Sequence, residues 1–264
     1  MSAVKTALTI AGSDPSGGAG IQADLKTFSQ LRVYGMAVIA ALTAQNTRGV
    51  SAVAEVSADI VGEQLNAVLS DIPPDATKTG MLLTADVIEV VAQKLRQYNV
   101  RNLVIDPVMV STSGTPLLNP NAVEAFRRRL LPLALVITPN IEEARTLTGK
   151  TIETVEDMEE AALQIQGMGA RNVLIKGGHF EGSDATDVLF DGKEFVHLKS
   201  ARIDARDTHG TGCVLSAAIT AHLATGKPVD EAVRLGKEFV TNAIKNGLRI
   251  GGGTGPCDPL SLES

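Results

Sequence analysis

The chain has 264 residues, 44% of them hydrophobic, so it can form one large domain or two small ones with a sizeable core. Aromatic residues make up only 3% and tryptophan is absent, which argues against a stacking surface for single-stranded nucleic acid. The formal net charge of −6 argues against binding to a phosphate backbone, so no nucleic-acid partner is expected.

The sequence contains only two cysteines, Cys213 and Cys257, which are far apart. This usage does not suggest a disulfide framework and fits a reducing compartment. The N-terminus enters a strand-like run with no signal-peptide pattern, and no apolar run approaches the roughly 18 residues of a membrane span. We therefore expect a cytoplasmic protein with no membrane association.

Short apolar runs alternate with segments of helical periodicity along the chain. Predicted strands cover 5–11, 36–44, 50–56, 76–83, 103–110, 133–138, 172–176, 186–190 and 194–198. Predicted helices cover about 19–31, 57–69, 87–98, 120–131, 141–147, 155–168, a segment from 214 onward, and 229–246. Helix-capping and turn residues support these predicted elements: Asn119-Pro120 opens a helix, Gly149 closes one, Thr154 and Asp157 form a capping pair, and Asp191-Gly192 makes a hairpin turn.

This alternation predicts an α/β fold, a three-layer sandwich in which helices cover both faces of a mostly parallel sheet. No linker or charge block divides the chain, so residues 1–264 are predicted to form a single domain. Ligands of such sheets bind at the carboxyl ends of the strands. Polar or Gly-rich residues follow the strands there: 12–14, 45–46, 80–81, 106–107, 140 and 176–178.

The stretch from Asp207 to Cys213, with the sequence DTHGTGC, opens a predicted helix. The unpaired amides and the dipole at such a helix start favour an anion such as phosphate. The same field is expected to favour the thiolate of Cys213. An anion site beside a titratable group suggests phosphoryl transfer, although a capped helix with a small core cysteine is an equal alternative on this stretch alone.

Two other glycine patterns resemble nucleotide-binding fingerprints but do not satisfy them. Residues 18–23 match G-x-G-x-x-A, yet a long loop precedes them and no acidic residue occurs between Asp24 and Glu55. Gly149-Lys150-Thr151 resembles the end of a P-loop, but the earlier glycine is replaced by Ala144. The four histidines lack zinc spacing and are interpreted as structural or exposed.

Oxygen ligands and one lysine follow the later strands. Asp106 ends a strand, and Asn140 and Glu143 open a helix after the next strand; such groups suit Mg²⁺. Lys176 precedes two glycines and can contact a phosphate as a point charge. Taken singly, Asp106 also fits a turn before proline, and Glu143 also fits an acid in a first helical turn.

Eight stretches in order along nearly the whole chain resemble one enzyme family. They are IAGSD (10–14), GGAGIQAD (17–24), TAQNT (43–47), KTGM (78–81), DPVM (106–109), TPNxxEA (138–144), KGGH (176–179) and DTHGTGC (207–213). Together they resemble the hydroxymethylpyrimidine/phosphomethylpyrimidine kinases of thiamine biosynthesis, which have the ribokinase-like fold.

The resemblance implies two phosphorylations that depend on ATP and Mg²⁺. They convert 4-amino-5-hydroxymethyl-2-methylpyrimidine to its monophosphate and then to the diphosphate. It also implies a homodimer. The implied pyrimidine pocket comprises Gly12, Asp24, Gln45, Met81 and Val108. The implied catalytic group comprises Gly210, Thr211, Gly212, Cys213 and Lys176. The implied nucleotide contacts are Asn140, Glu143, Lys176 and Thr208, and the implied metal ligands are Asp106 and Glu143.

Within that resemblance, the pocket residues have sensible chemistry. Gln45 offers a donor and an acceptor to an aminopyrimidine edge, Met81 and Val108 cover the ring faces, and Asp24 pairs with a protonated or amino-bearing ring, unless it is only a solvated helix acid. Segments around 45–50, 111–116 and 179–184 are candidates to close over the substrate. The Gly-rich tail 251–256 either approaches the nucleotide or forms a terminal turn.

Cys213 stands where sugar kinases of this superfamily usually carry aspartate. The hydroxymethyl group must lose a proton whereas the monophosphate need not, so Cys213→Ala is expected to impair the first phosphorylation much more than the second. Two alternatives remain: a pyridoxal kinase of the same superfamily, and a non-catalytic sensor of nucleotide or thiamine precursor.

Overall fold

A computed structural model describes residues 4–109, 120–178 and 184–261. Nine strands form one sheet: β1 (Thr6–Ser13), β2 (Tyr34–Asn46), β3 (Gly49–Glu55), β4 (Ala76–Thr79), β5 (Leu103–Ile105), β6 (Val136–Ile137), β7 (Asn172–Ile175), β8 (Asp184–Phe190) and β9 (Phe195–Ala201). Eight α-helices accompany them in the part of the chain that the structure describes: α1 (Gly20–Gln30), α2 (Ala58–Asp71), α3 (Ala85–Gln97), α4 (Pro120–Ala125), α5 (Ile141–Thr148), α6 (Val155–Gly167), α7 (Thr211–Ala224) and α8 (Val229–Lys245).

The strand order is β3-β2-β1-β4-β5-β6-β7-β8-β9. Six strands that are adjacent in the sheet run parallel, namely β2, β1, β4, β5, β6 and β7, while β3, β8 and β9 join by antiparallel pairing at the two ends. The predicted mostly parallel sheet is confirmed. β2 and β3 lie on one side of β1, and the strands from β4 onward lie on the other. The topological switch point is therefore between β1 and β4, where a ligand crevice is expected.

The core divides into two layers because neighbouring strand residues point to opposite faces of the sheet. On one face, Leu8, Leu103 and Ile137 pack with helices α2 to α6. On the other face, Ala7 and Val104 pack with α1, α7 and α8. This arrangement confirms the predicted three-layer sandwich. Within the part of the chain that the structure describes, no helix is long and apolar enough to cross a bilayer.

Several predicted caps are confirmed. Gly149 closes α5 in the left-handed conformation with φ 72°, which a residue with a side chain rarely adopts. Thr154 and Asp157 form a capping box at the start of α6. The predicted hairpin joins β8 to β9 through Gly192, with φ 92°.

Four predicted elements are shorter in the structure than the sequence predicted. The strand predicted over 103–110 ends at Ile105, because Pro107 has no N–H and Val108 N–H turns back to the Asp106 carbonyl (2.8 Å). The strands predicted over 76–83 and 133–138 are likewise reduced to β4 and β6. The helix predicted over 120–131 is regular only in α4 and continues as a π turn and a 3₁₀ turn before Ala134; Asn119, its predicted cap, lies outside the described residues.

Candidate active site

The start of α7 lies at the carboxyl ends of the parallel strands and presents free backbone amides. Gly210 caps the helix with φ 80°, and a Cβ there would lie 1.9 Å from the Gly18 carbonyl oxygen, so only glycine fits. Within the described residues, no protein group accepts a hydrogen bond from the amides of Gly212 and Cys213. The predicted anion site therefore has the required donors.

One cation and two carboxylates flank this helix start. Lys176 Nζ lies 3.2 Å from Asp106 Oδ1 and 3.8 Å from Glu143 Oε2. A Cβ on Gly212 would lie 3.5 Å from Lys176 Nζ and 3.6 Å from Asp106 Oδ2. The structure thus brings together the predicted residues Asp106, Glu143, Lys176 and Gly212, which come from four separate segments.

The carboxylates are held by their neighbours. Asn140 and Glu143 form a capping box at the start of α5: the Asn140 side chain accepts from Glu143 N–H (2.9 Å), and Glu143 Oε2 accepts from Asn140 N–H (2.7 Å). Ser216, one turn into α7, donates to Asp106 Oδ2 (3.3 Å). Asn140 also forms a parallel bridge with Lys176, so all these groups are fixed relative to one another.

Charge balance in this cluster depends on burial. Burial raises the pKa of Glu143 to about 7, against the attraction of Lys176 and with the repulsion of Asp106. Burial lowers the pKa of Lys176, but Asp106 and Glu143 raise it more, so its pKa lies above the ordinary value. Lys176 is therefore a permanent cation at neutral pH, whereas Glu143 can take up a proton.

A small apolar patch contacts Gly12, whose carbonyl faces Gly20 at the start of α1. Ala41 and Met81 form a small buried cluster with Leu83 and Val108 packed against it. A Cβ on Gly12 would lie 2.4 Å from Met81 Cε, so glycine at this position leaves room for the Met81 methyl group. Gly12, Met81 and Val108 are thus brought together as the predicted pocket requires.

Gln45 lies near the end of β2, and its amide is 3.2 Å from Thr43 Oγ1, whose hydroxyl lies 3.0 Å from the Ser13 carbonyl oxygen. The Gln45 amide lies 3.3 Å from His209 Nε2. His209 in turn lies 2.9 Å from Asp14 Oδ2. Sequence reasoning did not single out His209 or Asp14, although both stand inside the quoted stretches; their pairing joins positions 195 residues apart and leaves no local pattern.

The prediction that Asp24 contacts a ligand in the pyrimidine pocket does not fit the position of its carboxylate in the structure. Its carboxylate is fully buried and accepts from Lys78 Nζ (2.7 Å) and Thr9 Oγ1 (2.6 Å). Burial lowers the pKa of Lys78, but its acidic neighbours, Asp24 first among them, together raise it more and keep the pKa above its ordinary value. Both partners of this ion pair are thus satisfied within the protein. The sequence feature that could have indicated the pair is a lysine within the buried strand β4.

The expected thiolate at Cys213 was also wrong. Burial raises the pKa of Cys213 to about 12, although Lys78 and a hydrogen bond from the Gly20 amide act in the opposite direction. The side chain is half-buried and packs against the core layer that contains α7. Desolvation therefore outweighs the helix field, and the sulfur is a neutral thiol at neutral pH.

The other predicted contacts are placed as follows. The Thr208 carbonyl accepts from Thr211 N–H (3.4 Å), which shapes the turn before α7. The tail 251–256 contacts Thr47 and bridges to His209 instead of the strand ends near Lys176. Two candidate closing segments, 111–116 and nearly all of 179–184, lie outside the described residues.

The carboxylates suit a magnesium ion that keeps most of its waters. Asp106 and Glu143 both lie within 4 Å of Lys176 Nζ. Among the described residues, no group of three or more His, Cys, Asp or Glu could enclose a metal. Mg²⁺ usually takes one or two carboxylates and completes its shell with water and substrate phosphates, so this donor set fits Mg²⁺ and not a closed zinc site.

Comparisons with known proteins show the family to which the chain belongs. A family model described as phosphomethylpyrimidine kinase matches residues 14–258. The hydroxymethylpyrimidine/phosphomethylpyrimidine kinase of Rhizobium meliloti is 54% identical over 253 residues, covering 95% of each chain. The thiamine biosynthesis bifunctional protein of Geobacter sulfurreducens is 51% identical over 253 residues; the match covers 96% of this chain but only 52% of that longer protein.

The fold is also shared with solved structures. An ADP complex of Bacillus subtilis pyridoxal kinase superposes with a TM-score of 0.90 at 44% identity, covering 97% of both chains. The resemblance inferred from the eight sequence stretches and the ribokinase-like architecture are confirmed. The chain belongs to the phosphomethylpyrimidine kinase family and is a phosphotransferase.

Proposed function

We propose that this enzyme phosphorylates 4-amino-5-hydroxymethyl-2-methylpyrimidine and then its monophosphate, with ATP as donor, in thiamine biosynthesis. The observation that carries the proposal is the position of Gly212: its amide has no acceptor among the described residues, and a Cβ at this position would lie 3.5 Å from Lys176 Nζ and 3.6 Å from Asp106 Oδ2. A transferring phosphoryl group at this point meets amide donors and a cation, which stabilise charge in the transition state.

ATP supplies the phosphoryl group, and we assign its phosphates to the side of the site with Lys176, Asn140 and Glu143. Asp106 and Glu143 would hold Mg²⁺, which neutralises phosphate charge when bound. Thr208 is assigned to the same side because it precedes the turn at Gly210. Since the donor is ATP, we place the enzyme in the cytoplasm.

On the substrate side, Gly12, Met81 and Val108 would receive the ring, and Gln45 would read its polar edge. Asp24 is withdrawn from this set, because Lys78 and Thr9 already occupy its carboxylate. Gly210 and Thr211 shape the helix start, and Cys213 lies in the first turn, where its sulfur would face the acceptor oxygen. The site thus holds a flat ring against an immobile phosphoryl-transfer centre.

Residues 1–264 would act as one domain and assemble as a homodimer. Residues 51–55 of β3 are exposed at the sheet edge, and Leu42 (48% exposed) and Val53 (38% exposed) present apolar side chains there. Such a surface favours association with a second copy. Light scattering of the intact chain and of Val53→Lys tests this, with a dimeric wild type and a weakened variant expected.

A pyridoxal kinase is the second candidate function, favoured by the high structural similarity to the Bacillus subtilis pyridoxal kinase. A product assay separates the two: ATP, Mg²⁺ and either the hydroxymethylpyrimidine or pyridoxal, with chromatographic resolution of mono- and diphosphate. Formation of the pyrimidine diphosphate with a higher kcat/KM than for pyridoxal is the expected result. Turnover of pyridoxal alone would replace the proposal, and nucleotide binding without turnover of either compound would indicate a sensor.

A further inference from the structure

His209 is a buried histidine whose backbone and side chain are both fixed. Its N–H donates to the Gly255 carbonyl (3.0 Å), and its carbonyl accepts from Cys257 N–H (3.3 Å), so the C-terminal tail holds it from one side. Its Nε2 lies 2.9 Å from Asp14 Oδ2, and the residue is only 5% exposed. The imidazole therefore has one orientation in the site.

Asp14 determines where the hydrogen on this ring lies. Its two oxygens already accept hydrogen bonds from Ser16 N–H and hydroxyl (2.9 and 2.8 Å) and from Ala19 N–H (2.9 Å). Although burial raises its pKa, the hydrogen bonds from His209 and Ser16 hold the pKa of Asp14 below its ordinary value. An ionised carboxylate only accepts, so Nε2 of His209 must carry a hydrogen.

This hydrogen fixes the atom of Gln45 that faces the ring. One end of the Gln45 amide lies 3.3 Å from His209 Nε2, and the other end lies 3.2 Å from Thr43 Oγ1. Nε2 carries a single hydrogen and has no free lone pair, so the amide end that faces it at 3.3 Å must be the oxygen, which shares this hydrogen with the nearer Asp14 Oδ2 (2.9 Å). The Thr43 hydroxyl has one hydrogen and two neighbours, the Ser13 carbonyl at 3.0 Å and the Gln45 amide at 3.2 Å. With the hydrogen donated to the nearer Ser13 carbonyl, Thr43 Oγ1 accepts from the NH₂ group of Gln45, which agrees with the orientation that His209 requires.

In that orientation, Gln45 keeps one N–H and one oxygen lone pair in a fixed order for a ligand. A 4-aminopyrimidine edge presents a ring nitrogen beside an amino group, the same pattern that glutamine reads on adenine. We propose that His209, anchored by Asp14, is the positioning residue that sets this order and so selects a ring with an amino group beside a ring nitrogen. This inference rests on the proposed function and specifies how its substrate is recognised.

The test compares two substrates that differ only in the amino group: the hydroxymethylpyrimidine and its 4-deamino analogue. His209→Phe keeps a ring but removes the donor, whereas His209→Gln returns an N–H near the same place. In the wild type, the kcat/KM ratio favours the amino compound. We expect this ratio to fall roughly 5- to 150-fold in His209→Phe, mainly through KM, and to recover in His209→Gln. The exposed His197→Phe serves as the matched control with an unchanged ratio.

Asp14→Asn gives a second test, since it frees His209 to change tautomer, and it too should lower the ratio. Binding of both compounds to each variant, measured by calorimetry, repeats the comparison without turnover. An unchanged ratio in His209→Phe, or equal losses on both substrates in His209→Phe and His209→Gln, would overturn the inference while leaving the proposed function standing. A wild type that does not phosphorylate the aminopyrimidine would overturn both.

Discussion

Two lysines near strand ends, Lys78 and Lys176, stand in similar sequences and in different environments. Each is followed within two residues by a glycine, and a thiolate at Cys213 would raise the pKa of either one. Lys78 forms a single ion pair of 2.7 Å with Asp24, and both side chains are fully buried. Lys176 lies between two carboxylates at 3.2 and 3.8 Å, and its side chain is 17% exposed.

The difference separates structural charge from functional charge. In the Lys78 pair, short contacts and complete burial leave no path for a ligand, so the pair contributes to the architecture around α1 and β4. Lys176 has three donors and longer contacts, so hydrogen-bonding capacity remains for a phosphate. Enclosure, not the presence of a cation, thus decides which lysine is available for chemistry.

Of the variants that test this difference between the two lysines, Lys78→Met is expected to have the largest effect, a loss of stability. Removal of one partner leaves the Asp24 carboxylate buried without a counter-charge, which costs about 3–5 kcal/mol in the free energy of unfolding. Urea unfolding followed by circular dichroism measures this value. The double variant Lys78→Met/Asp24→Leu should recover more than half of the loss, because an apolar pair no longer buries an isolated charge. No recovery in the double variant would contradict the assignment of a structural ion pair.

Lys176→Met is expected to act on catalysis instead. Loss of a cation that stabilises the transferring phosphoryl group should lower kcat about 10²–10³-fold, by analogy with removal of one transition-state donor. The free energy of unfolding should change less than in Lys78→Met, because Lys176 is partly exposed. Lys150→Met on the surface provides the control for loss of a lysine. Normal turnover in Lys176→Met would remove this residue from the phosphate site.

The sequence predicted the open cluster better than the closed one for a physical reason. Lys176 and Asp106 follow strands, and parallel strands place their carboxyl ends at one edge, so local position was enough to bring them together. The Lys78–Asp24 contact instead depends on how α1 packs across β1 and β4, 54 residues apart in sequence. The position of Asp24 on a helix does not predict which side chain will contact it. Its place in the pocket was therefore taken from the resemblance alone.

The same limit applied to Cys213. The helix start and its dipole could be predicted from the glycines, but the degree of burial could not. The structure shows that desolvation dominates and raises the pKa of Cys213. The Gly20 amide and Lys78 lie beside the sulfur, and both belong to segments that are distant from Cys213 in sequence.

Glu143→Gln tests the Lys176 cluster through the pH dependence of stability, because Glu143 is the carboxylate in this cluster whose charge changes near neutral pH. Burial raises its pKa from 4.5 to about 7, so the folded protein binds more protons than the unfolded chain between these values. The wild type should therefore lose stability as pH rises from about 4.5 to 7, relative to Glu143→Gln, by at most about 3 kcal/mol. Denaturant midpoints at pH 5 and pH 8 measure this. The neighbouring exposed Glu142→Gln should show no such difference, and a parallel pH dependence in wild type and Glu143→Gln would contradict the assignment.

The smallest effect is expected from Cys213→Ala, which tests whether the sulfur between the two lysines takes part in the chemistry. A neutral thiol with a pKa of about 12 is a poor base, so its contribution to the first phosphorylation is that of a hydrogen bond, about tenfold. The second phosphorylation needs no proton removal from the acceptor and should change less. Separate kcat values for the two steps measure the ratio, and Cys213→Ser, which keeps a hydroxyl donor and acceptor, should restore much of the first step. Equal losses in both steps would assign Cys213 to packing against α1 alone.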